Sequence, residues 1–503
     1  MLKFKYCLYE RSGMTHLAVI GSGTIGEKAR QLSAKGPILQ DIGFRLPPRI
    51  VLAEGFFDGF FQRHGLGRNL RDVTPSDDLE SRVRTGSVTA KQFSTLQHIA
   101  AVTGNKPVVV RSSAEGDSRG TGTYASEFAM GDAMSISRAL GKVLASYFSK
   151  DAVAFRKDAQ LQDGFAVMIE PLVAHELGWI MTPLLSGSAY TSTSRGPCTI
   201  NVVPGLGGGG QTRDAEQITR KGLRACEGFL GRYIYEEVCS FGRSQPTRRS
   251  ALLGTNESYR TPGEYTVQAF CPRTKYDRGG LHRTTMRLED EMDRKFGEVN
   301  LLTLFDMLEA AEQRLGKPQY AEWAMTLDHG VPAYWLLQIA DVDKKHDVLD
   351  FGDLGTVLMQ GHTVTGTGVH ETDTMFTCWN PDDICALNEF NRTHTGYVLI
   401  YSSRLVTSAL GYRRMTYSDF NNAQVFLELQ DAAHADNPVS HLGEQLDTAK
   451  KLFGVVDYRE ECAPNWKAME KRQTRFNDAK VYEGKVRIIS SERQNRIVVS
   501  ALE

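Results

Sequence analysis

Apolar residues along this chain follow two rhythms. Short runs bounded by glycine, proline or polar residues read as buried strands: His16 to Ile20, Ile50 to Leu52, Pro107 to Val110, Phe165 to Ile169 and Thr199 to Val203. Stretches with apolar positions three and four apart read as helices: about Glu27 to Ala34, an aromatic-rich helix starting over Phe56 to Phe61, Ile136 to Phe155, Leu301 to Leu315 and Leu442 to Leu452. Tyr320 to Met325 and Ala333 to Ile339 flank Asp328-His329-Gly330, a pattern that predicts a hairpin. Polar, glycine-rich loops are expected at 111–123, at 205–210 and in an exposed insertion at 242–262. After the charged stretch at 343–347 the texture changes. A Gly/Thr-rich segment at 363–369 leads to strands at 396–400 and 423–427, and alternation at 480–489 and 496–499 predicts terminal strands. No internal repeat is seen.

Mixed strands and helices place the chain in the α/β (α+β) class. At 503 residues it is too long for one core, and the texture divides it into residues 1–345, a linker at 346–360 and residues 361–503. The net charge of −1 gives no bulk attraction for nucleic acid or a membrane surface, and neither partner is expected. Lys3 and Lys5 precede no long apolar core and no run reaches membrane-spanning length, so neither a leader nor an anchor is expected. Eight cysteines are scattered without a CxxC pair, which suits reduced, buried thiols in a cytoplasmic protein.

Four separated motifs supply the parts needed to hold a polyphosphate with its magnesium ion. Gly26-Glu27-Lys28-Ala29 brings an ammonium to the start of a helix, and Val110-Arg111-Ser112-Ser113 ends a strand on a guanidinium. Gly205-Leu206-Gly207 lets backbone amides approach a ligand closely, and Glu322 with Leu337-Gln338 could turn two oxygens towards Mg²⁺ from one face of a hairpin. Each has a bland alternative: a solvated lysine, an Arg111 salt bridge to Glu115 or Asp117, a solvent-facing Glu322. Gly21-Ser22-Gly23-Thr24-Ile25-Gly26 also fits the dinucleotide fingerprint between a strand and a helix. Asp41, at about the required distance, does not close a clean second strand.

Together the motifs resemble the nucleotide-binding domain of the pyruvate phosphate dikinase and phosphoenolpyruvate synthase family, which includes rifampicin phosphotransferase. Gly26 to Leu32, Leu46-Pro47-Pro48 to Leu52, Val110 to Glu115, Ala166 to Val173, Gly205 to Gly208, Glu322 and Leu337-Gln338 carry the likeness in order. The resemblance implies an ATP-grasp-like domain in which Lys28 and Arg111 hold phosphates and Glu322 and Gln338 hold Mg²⁺. It places the adenine against Glu170, Leu172 and Val173, beside the loop of Gly205 and Gly207. Downstream, Asn437-Pro438-Val439-Ser440-His441 and the helical pattern after it are similar to the family's swivelling phosphohistidine domain, which implies that His441 carries phosphate from ATP to an acceptor; His434 is the next choice. A neutral imidazole is nucleophilic near pH 7, and a helix N-terminus favours the phosphate it would gain.

The chain departs from the family pattern at three places. Tyr320 stands where an aspartate is usual two residues before the metal-binding glutamate, Ala340 where an arginine is usual two residues after the glutamine, and Glu27 where a second glycine is common. These losses leave open a catalytically impaired, ATP-binding regulatory protein, and the Gly21–Gly26 fingerprint leaves open an NAD-dependent enzyme. The length leaves no room for the family's pyruvate-binding barrel. The acceptor is therefore expected to be a small molecule held between domains or a separate protein.

Overall fold

The computed structural model describes residues 17–65, 77–117, 123–161, 164–177, 180–183, 185–192, 198–204, 206, 216–219, 264–271, 280–287, 301–329, 331–342, 349–352, 354–402, 405, 415–430, 445–446, 448–457, 464–470, 473–477 and 479–502. The chain divides into two compact units. One holds residues 1–148 and 163–343, the other residues 149–162 and 344–503.

In the first unit, strands β1 (Leu17–Ile20), β2 (Arg49–Leu52), β3 (Val108–Ala114), β4 (Ser126–Ala129) and β5 (Phe165–Pro171) form a sheet of order β1-β2-β5-β3-β4. Helix α1 (Gly26–Ile42) crosses over between β1 and β2, which run parallel; every other pair in the sheet is antiparallel. The dinucleotide reading needs a doubly wound parallel sheet behind its fingerprint, and this mixed sheet does not provide one. Two small sheets complete the unit. Strands β6 (His175–Leu177), β7 (Ile180–Thr182), β11 (Glu264–Cys271) and β12 (Gly280–Arg287) pair in the order β12-β11-β7-β6. Strands β8 (Leu185–Tyr190), β9 (Thr199–Pro204), β10 (Glu216–Thr219), β13 (Gln319–Asp328) and β14 (Val331–Asp341) pair in the order β10-β9-β8-β13-β14.

One apolar core joins the first sheet to the sheet containing β13 and β14. It runs from Leu32 and Leu39 of α1 through Val51 and Met168 to Ile200, Trp323 and Leu336, and includes Leu304 and Phe305 of helix α7 (Leu301–Leu315). Helices α2 (Asp58–Arg63), α3 (Asp77–Thr85), α4 (Ala90–Val102) and α5 (Ala133–Tyr147) complete the unit.

The local pattern erred where a neighbour supplied what the sequence lacked. Helix α1 does not stop near Ala34. It runs through Pro37 to Ile42 and ends on Gly43, whose left-handed φ of 114° lets its amide and that of Phe44 close back on Gln40 and Leu39. Arg111 does not open a loop: β3 continues to Ala114, fully paired with β5. The helical pattern from Ile136 to Phe155 is two helices, α5 and α6 (Lys150–Asp158), parted at Ser149, whose hydroxyl accepts the Ala152 amide at 3.2 Å.

In the second unit, β15 (Thr356–Thr365), β16 (Gly368–Cys378), β17 (Val398–Ser402), β18 (Val425–Gln430), β19 (Leu452–Asp457), β21 (Ala479–Ser491) and β22 (Arg496–Ala501) close into a seven-stranded barrel, because β16 pairs with β21 as well as with β17; β20 (Gln473–Phe476) flanks β21. The Gly/Thr-rich segment at 363–369 is thus the end of one strand and the start of the next, and Leu452 begins a strand rather than ending a helix. Strands β16 to β19 are parallel. Val398 and Ile400 join the cluster fed by all seven barrel strands, while Leu399 and Tyr401 pack in a second cluster with residues of helices α8 (Asp383–Thr393) and α9 (Tyr417–Phe420). This explains why β17 reads as an unbroken apolar run. A short helix, α10 (Trp466–Glu470), lies between β19 and β20.

Helix α6 belongs to this second unit. Phe155 is fully buried in the outer cluster, and Asp158 receives Lys451 Nζ at 2.7 Å and the Tyr417 hydroxyl at 2.7 Å. Lys451 also donates to the carbonyls of Asn421 and Ala423, so its buried ammonium is saturated. Among the described cysteines, Cys198 and Cys378 are buried free thiols and Cys385 is exposed.

Among the described glycines, Gly26 leaves the least room for a side chain. Its φ is +72°, and a Cβ there would lie 1.5 Å from the Ser113 carbonyl oxygen. Gly26→Ala is expected to cost about 2 kcal/mol or more, read as a lower denaturant midpoint.

Candidate functional site

The close approach at Gly26 assembles the site. The start of α1 lies against the end of β3. Residue Ile25, at the N-cap, gives α1 no side-chain cap; instead Ser113 Oγ accepts the Ala29 amide at 3.1 Å and donates to the Ile25 carbonyl at 2.9 Å. A serine from a distant strand therefore caps the helix, and that contact brings Lys28 to the same place as Arg111. Outside it, Arg30 grips Glu115 through two hydrogen bonds of 2.6 and 2.8 Å, and Glu27 accepts the Gly116 amide at 3.0 Å.

The hairpin supplies the other half. Glu322 of β13 and Gln338 of β14 are direct cross-strand partners, beside an irregularity in register between Glu322 and Trp323. Segment 45–49 is tied to the same hairpin. The Arg45 amide donates to the Tyr334 carbonyl at 2.8 Å, and the Arg45 carbonyl accepts the Leu336 amide at 2.9 Å.

Six charged side chains meet between these elements, and all are buried: Lys28, Arg49, Arg111, Asp117, Glu170 and Glu322. Lys28 Nζ lies 2.8 Å from Asp117 Oδ1, and Asp117 Oδ2 accepts the Ser112 hydroxyl at 2.6 Å. Arg111 Nη2 donates to Glu322 Oε2 and, at 3.2 Å, to Gln338 Oε1. Its Nη1 donates to the Leu337 carbonyl at 3.2 Å and reaches Glu170 Oε1 at 3.4 Å. Glu170 Oε2 in turn receives Arg49 Nε at 2.7 Å, and Arg49 Nη2 donates to the Leu336 carbonyl at 2.7 Å. Gln338 Nε2 donates to the Asp117 carbonyl at 3.4 Å, and the Tyr320 hydroxyl to Glu322 Oε1 at 3.3 Å. Three cations thus face three anions in a desolvated cluster.

Burial opposes ionisation of Asp117 and of Glu322, but not with one outcome. It raises the Asp117 carboxyl above its ordinary range, although Lys28, Ser112 and Arg111 pull the other way. For Glu322 burial also pushes upwards, yet the nearby charges of Arg111 and Lys28 outweigh it and hold the carboxyl below its ordinary range. Burial pushes the Arg111 guanidinium down, but Glu322 and Glu170 dominate and raise it, so it stays protonated. Burial and the Glu322 charge raise the Tyr320 phenol far above its ordinary value, which keeps it a neutral donor.

Lys28, Arg111, Glu322, Gln338 and Glu170 are therefore brought together, and Lys28, Arg111 and Glu322 do not follow the bland alternatives given for them. Lys28 and Glu322 are buried rather than solvated, and Arg111 pairs with Glu322 and Glu170 while Glu115 and Asp117 serve Arg30 and Lys28. The Glu170 side chain is committed to the two arginines. Leu172 and Val173 are half-buried beyond the end of β5, and the Leu172 amide already donates to the Pro107 carbonyl at 2.9 Å. Gly205, Gly207, His434, His441 and the whole of the 242–262 insertion lie outside the described residues. Sequence reasoning gave no site role to Arg49, Ser112, Ser113 or Asp117. Arg49 follows the Pro47-Pro48 pair, and Asp117 lies within the polar segment after Arg111, where it reads only as a salt-bridge partner for that arginine.

The departures Tyr320 and Ala340 prove to be cross-strand neighbours, both buried. Where the pattern has one acid and one base, this chain has a phenol facing a methyl group, and the paired loss leaves no orphaned charge between β13 and β14.

One carboxylate and one amide facing each other match the small protein contribution that Mg²⁺ accepts when phosphates and water complete its shell. Among the described residues no cluster of three or more His, Cys, Asp or Glu could hold a metal alone. The donor set therefore fits an ion carried in with a polyphosphate rather than a resident one.

The fold and the cluster define a nucleotide-binding unit of ATP-grasp type followed by a closed barrel. Residues 23–347, more than half of the chain, match the family model of the pyruvate phosphate dikinase AMP/ATP-binding domain. The chain belongs to the pyruvate phosphate dikinase and phosphoenolpyruvate synthase family. No curated protein matches it. Among the described residues no helix is long and apolar enough to cross a membrane.

Two outcomes follow from the cluster. Arg111→Met leaves two buried carboxylates short of a cation and is expected to cost about 3–5 kcal/mol in chemical denaturation. Glu322 ionises at lower pH folded than unfolded, so its ion pair stabilises the fold above the ordinary carboxylate range and is lost as pH falls through the lowered value. Glu322→Gln should accordingly flatten the acid limb of a stability-against-pH curve; an unchanged limb would remove Glu322 from that role.

Proposed function

We propose that this protein is a dikinase-like, ATP-dependent phosphotransferase. Lys28 and Arg111 hold the phosphates, Glu322 and Gln338 ligate Mg²⁺, and the edge at Glu170, Leu172 and Val173 with the loop of Gly205 and Gly207 receives the adenine. The ion, when bound, neutralises phosphate charge. An imidazole nitrogen of His441 attacks the β-phosphorus, the bond from that phosphorus to the α-phosphate oxygen breaks, and AMP leaves. Water removes the γ-phosphoryl as phosphate, and the phosphohistidine passes its phosphoryl group to a small molecule or a separate protein. The second unit acts as the swivelling carrier; the expected division into a linker at 346–360 and a carrier at 361–503 shifts, because β15 of the barrel begins at Thr356 and α6 joins the same unit.

The observation that carries this reading is the convergence of Lys28 of α1, Arg111 of β3 and Glu322 and Gln338 of the β13–β14 hairpin, three remote segments, into one buried cluster, in a chain that carries the family's AMP/ATP-binding domain. Every one of these groups has an internal partner. Fixed charges of this kind can stabilise developing phosphoryl charge without reorganising solvent, once phosphate takes over the cations.

A second reading is an ATP-binding regulatory protein with impaired turnover. The uncharged Tyr320–Ala340 pair favours it, because it removes one acid and one base from the wall of the site.

Titration calorimetry is expected to show ATP binding with Mg²⁺ present, weakened about tenfold or more by Lys28→Met through loss of a charge-assisted contact. No binding by the wild type would overturn the reading. With β-labelled ATP, label should attach to the protein and vanish in His441→Ala. Binding without labelling would select the regulatory alternative.

A further inference from the structure

The resting partners of Arg111 and Glu322 constrain how a ligand can enter, granted that the cluster is the nucleotide site. Arg111 spends its donors on Glu322, Gln338, Glu170 and the Leu337 carbonyl. Both Glu322 oxygens are taken, one by Arg111 and the other by the Tyr320 hydroxyl. The phosphate-binding cation and the metal-binding anion are therefore each other's substitute ligand. Lys28 is held in the same way by Asp117.

If Arg111 turns to a phosphate oxygen alone, Glu322 is left buried, unpaired and beside further negative charge. If Glu322 takes a divalent cation alone, the guanidinium of Arg111 faces that cation. Either half-exchange breaks a buried pair, and losing one member of such a pair is strongly unfavourable. When both happen together, each buried charge keeps a partner of opposite sign. We propose that the Arg111–Glu322 ion pair is a latch that couples nucleotide and metal: the site takes the metal–nucleotide complex as one unit and rejects either component by itself. Linkage makes the effect reciprocal, and couplings between sites are commonly about 5–150-fold.

The latch makes a claim that a simple metal ligand does not. Removing the carboxylate should strengthen the binding of metal-free nucleotide, because Arg111 is released. Removing the guanidinium should expose a metal site that the wild type hides.

The affinity for ATP is to be measured with excess EDTA and with excess Mg²⁺. In the wild type, ATP in EDTA is expected to bind at least about tenfold more weakly than with Mg²⁺. Glu322→Gln should tighten ATP binding in EDTA by about threefold or more and shrink that ratio towards one. Tyr320→Phe, which removes only one hydrogen bond from the same carboxylate and leaves the charges balanced, should move the ratio the same way by less; it serves if Glu322→Gln does not fold. By electron paramagnetic resonance, Mn²⁺ without nucleotide should stay free with the wild type and bind to Arg111→Met.

Unchanged affinity in EDTA for Glu322→Gln, or for Tyr320→Phe if that variant must stand in, overturns the latch while leaving the nucleotide site intact. So does tight Mn²⁺ binding by the wild type without nucleotide. Failure of the wild type to bind ATP even with Mg²⁺ overturns the site assignment itself.

Discussion

Six buried ionisable side chains are tolerable only if each has a partner at hydrogen-bond distance, and that constraint organises the first unit. Arg111 is its centre, because a planar guanidinium can serve two carboxylates, an amide and a carbonyl at once, which an ammonium cannot. Replacing the cluster with apolar side chains could stabilise the fold, since buried ion pairs seldom repay their desolvation. Its retention therefore speaks for ligand chemistry rather than stability. On the proposed function, the cations stand in a buried place where phosphate would exchange for carboxylate.

Ordinary folding devices hold the cluster in place. Gly26 lets a helix start touch a strand end, and Ser113 turns that contact into a cap. The β13–β14 register puts Glu322 opposite Gln338, and the backbone bridge at Arg45 fastens the segment bearing Arg49 to the same hairpin. These restraints are local, strong and independent of the charges they position. The second unit rests on different grounds: a closed barrel has no free sheet edge except at its flanking strand, and α6 is fixed to it by a saturated lysine.

Sequence pattern determined a good deal of this protein. Tight turns and alternation fixed the β13–β14 hairpin and the terminal strands, and unbroken apolar runs marked the buried strands, because those signals are set by neighbours close along the chain. Ordered motifs also picked out Lys28, Arg111, Glu322 and Gln338. Only the tertiary structure decided what these residues touch. Whether Arg111 meets Glu115, four residues away, or Glu322, in a distant hairpin, depends on which strands pair, and no local spacing contains that information. The site roles of Asp117 and Arg49 were hidden for the same reason, since one polar residue at the end of a strand looks like any other until a buried lysine or carboxylate lies beside it. The division at Ser149 was likewise hidden. Helical periodicity carries through from α5 to α6, but the faces of the two helices bury against different cores, and a core exists only once the chain has folded.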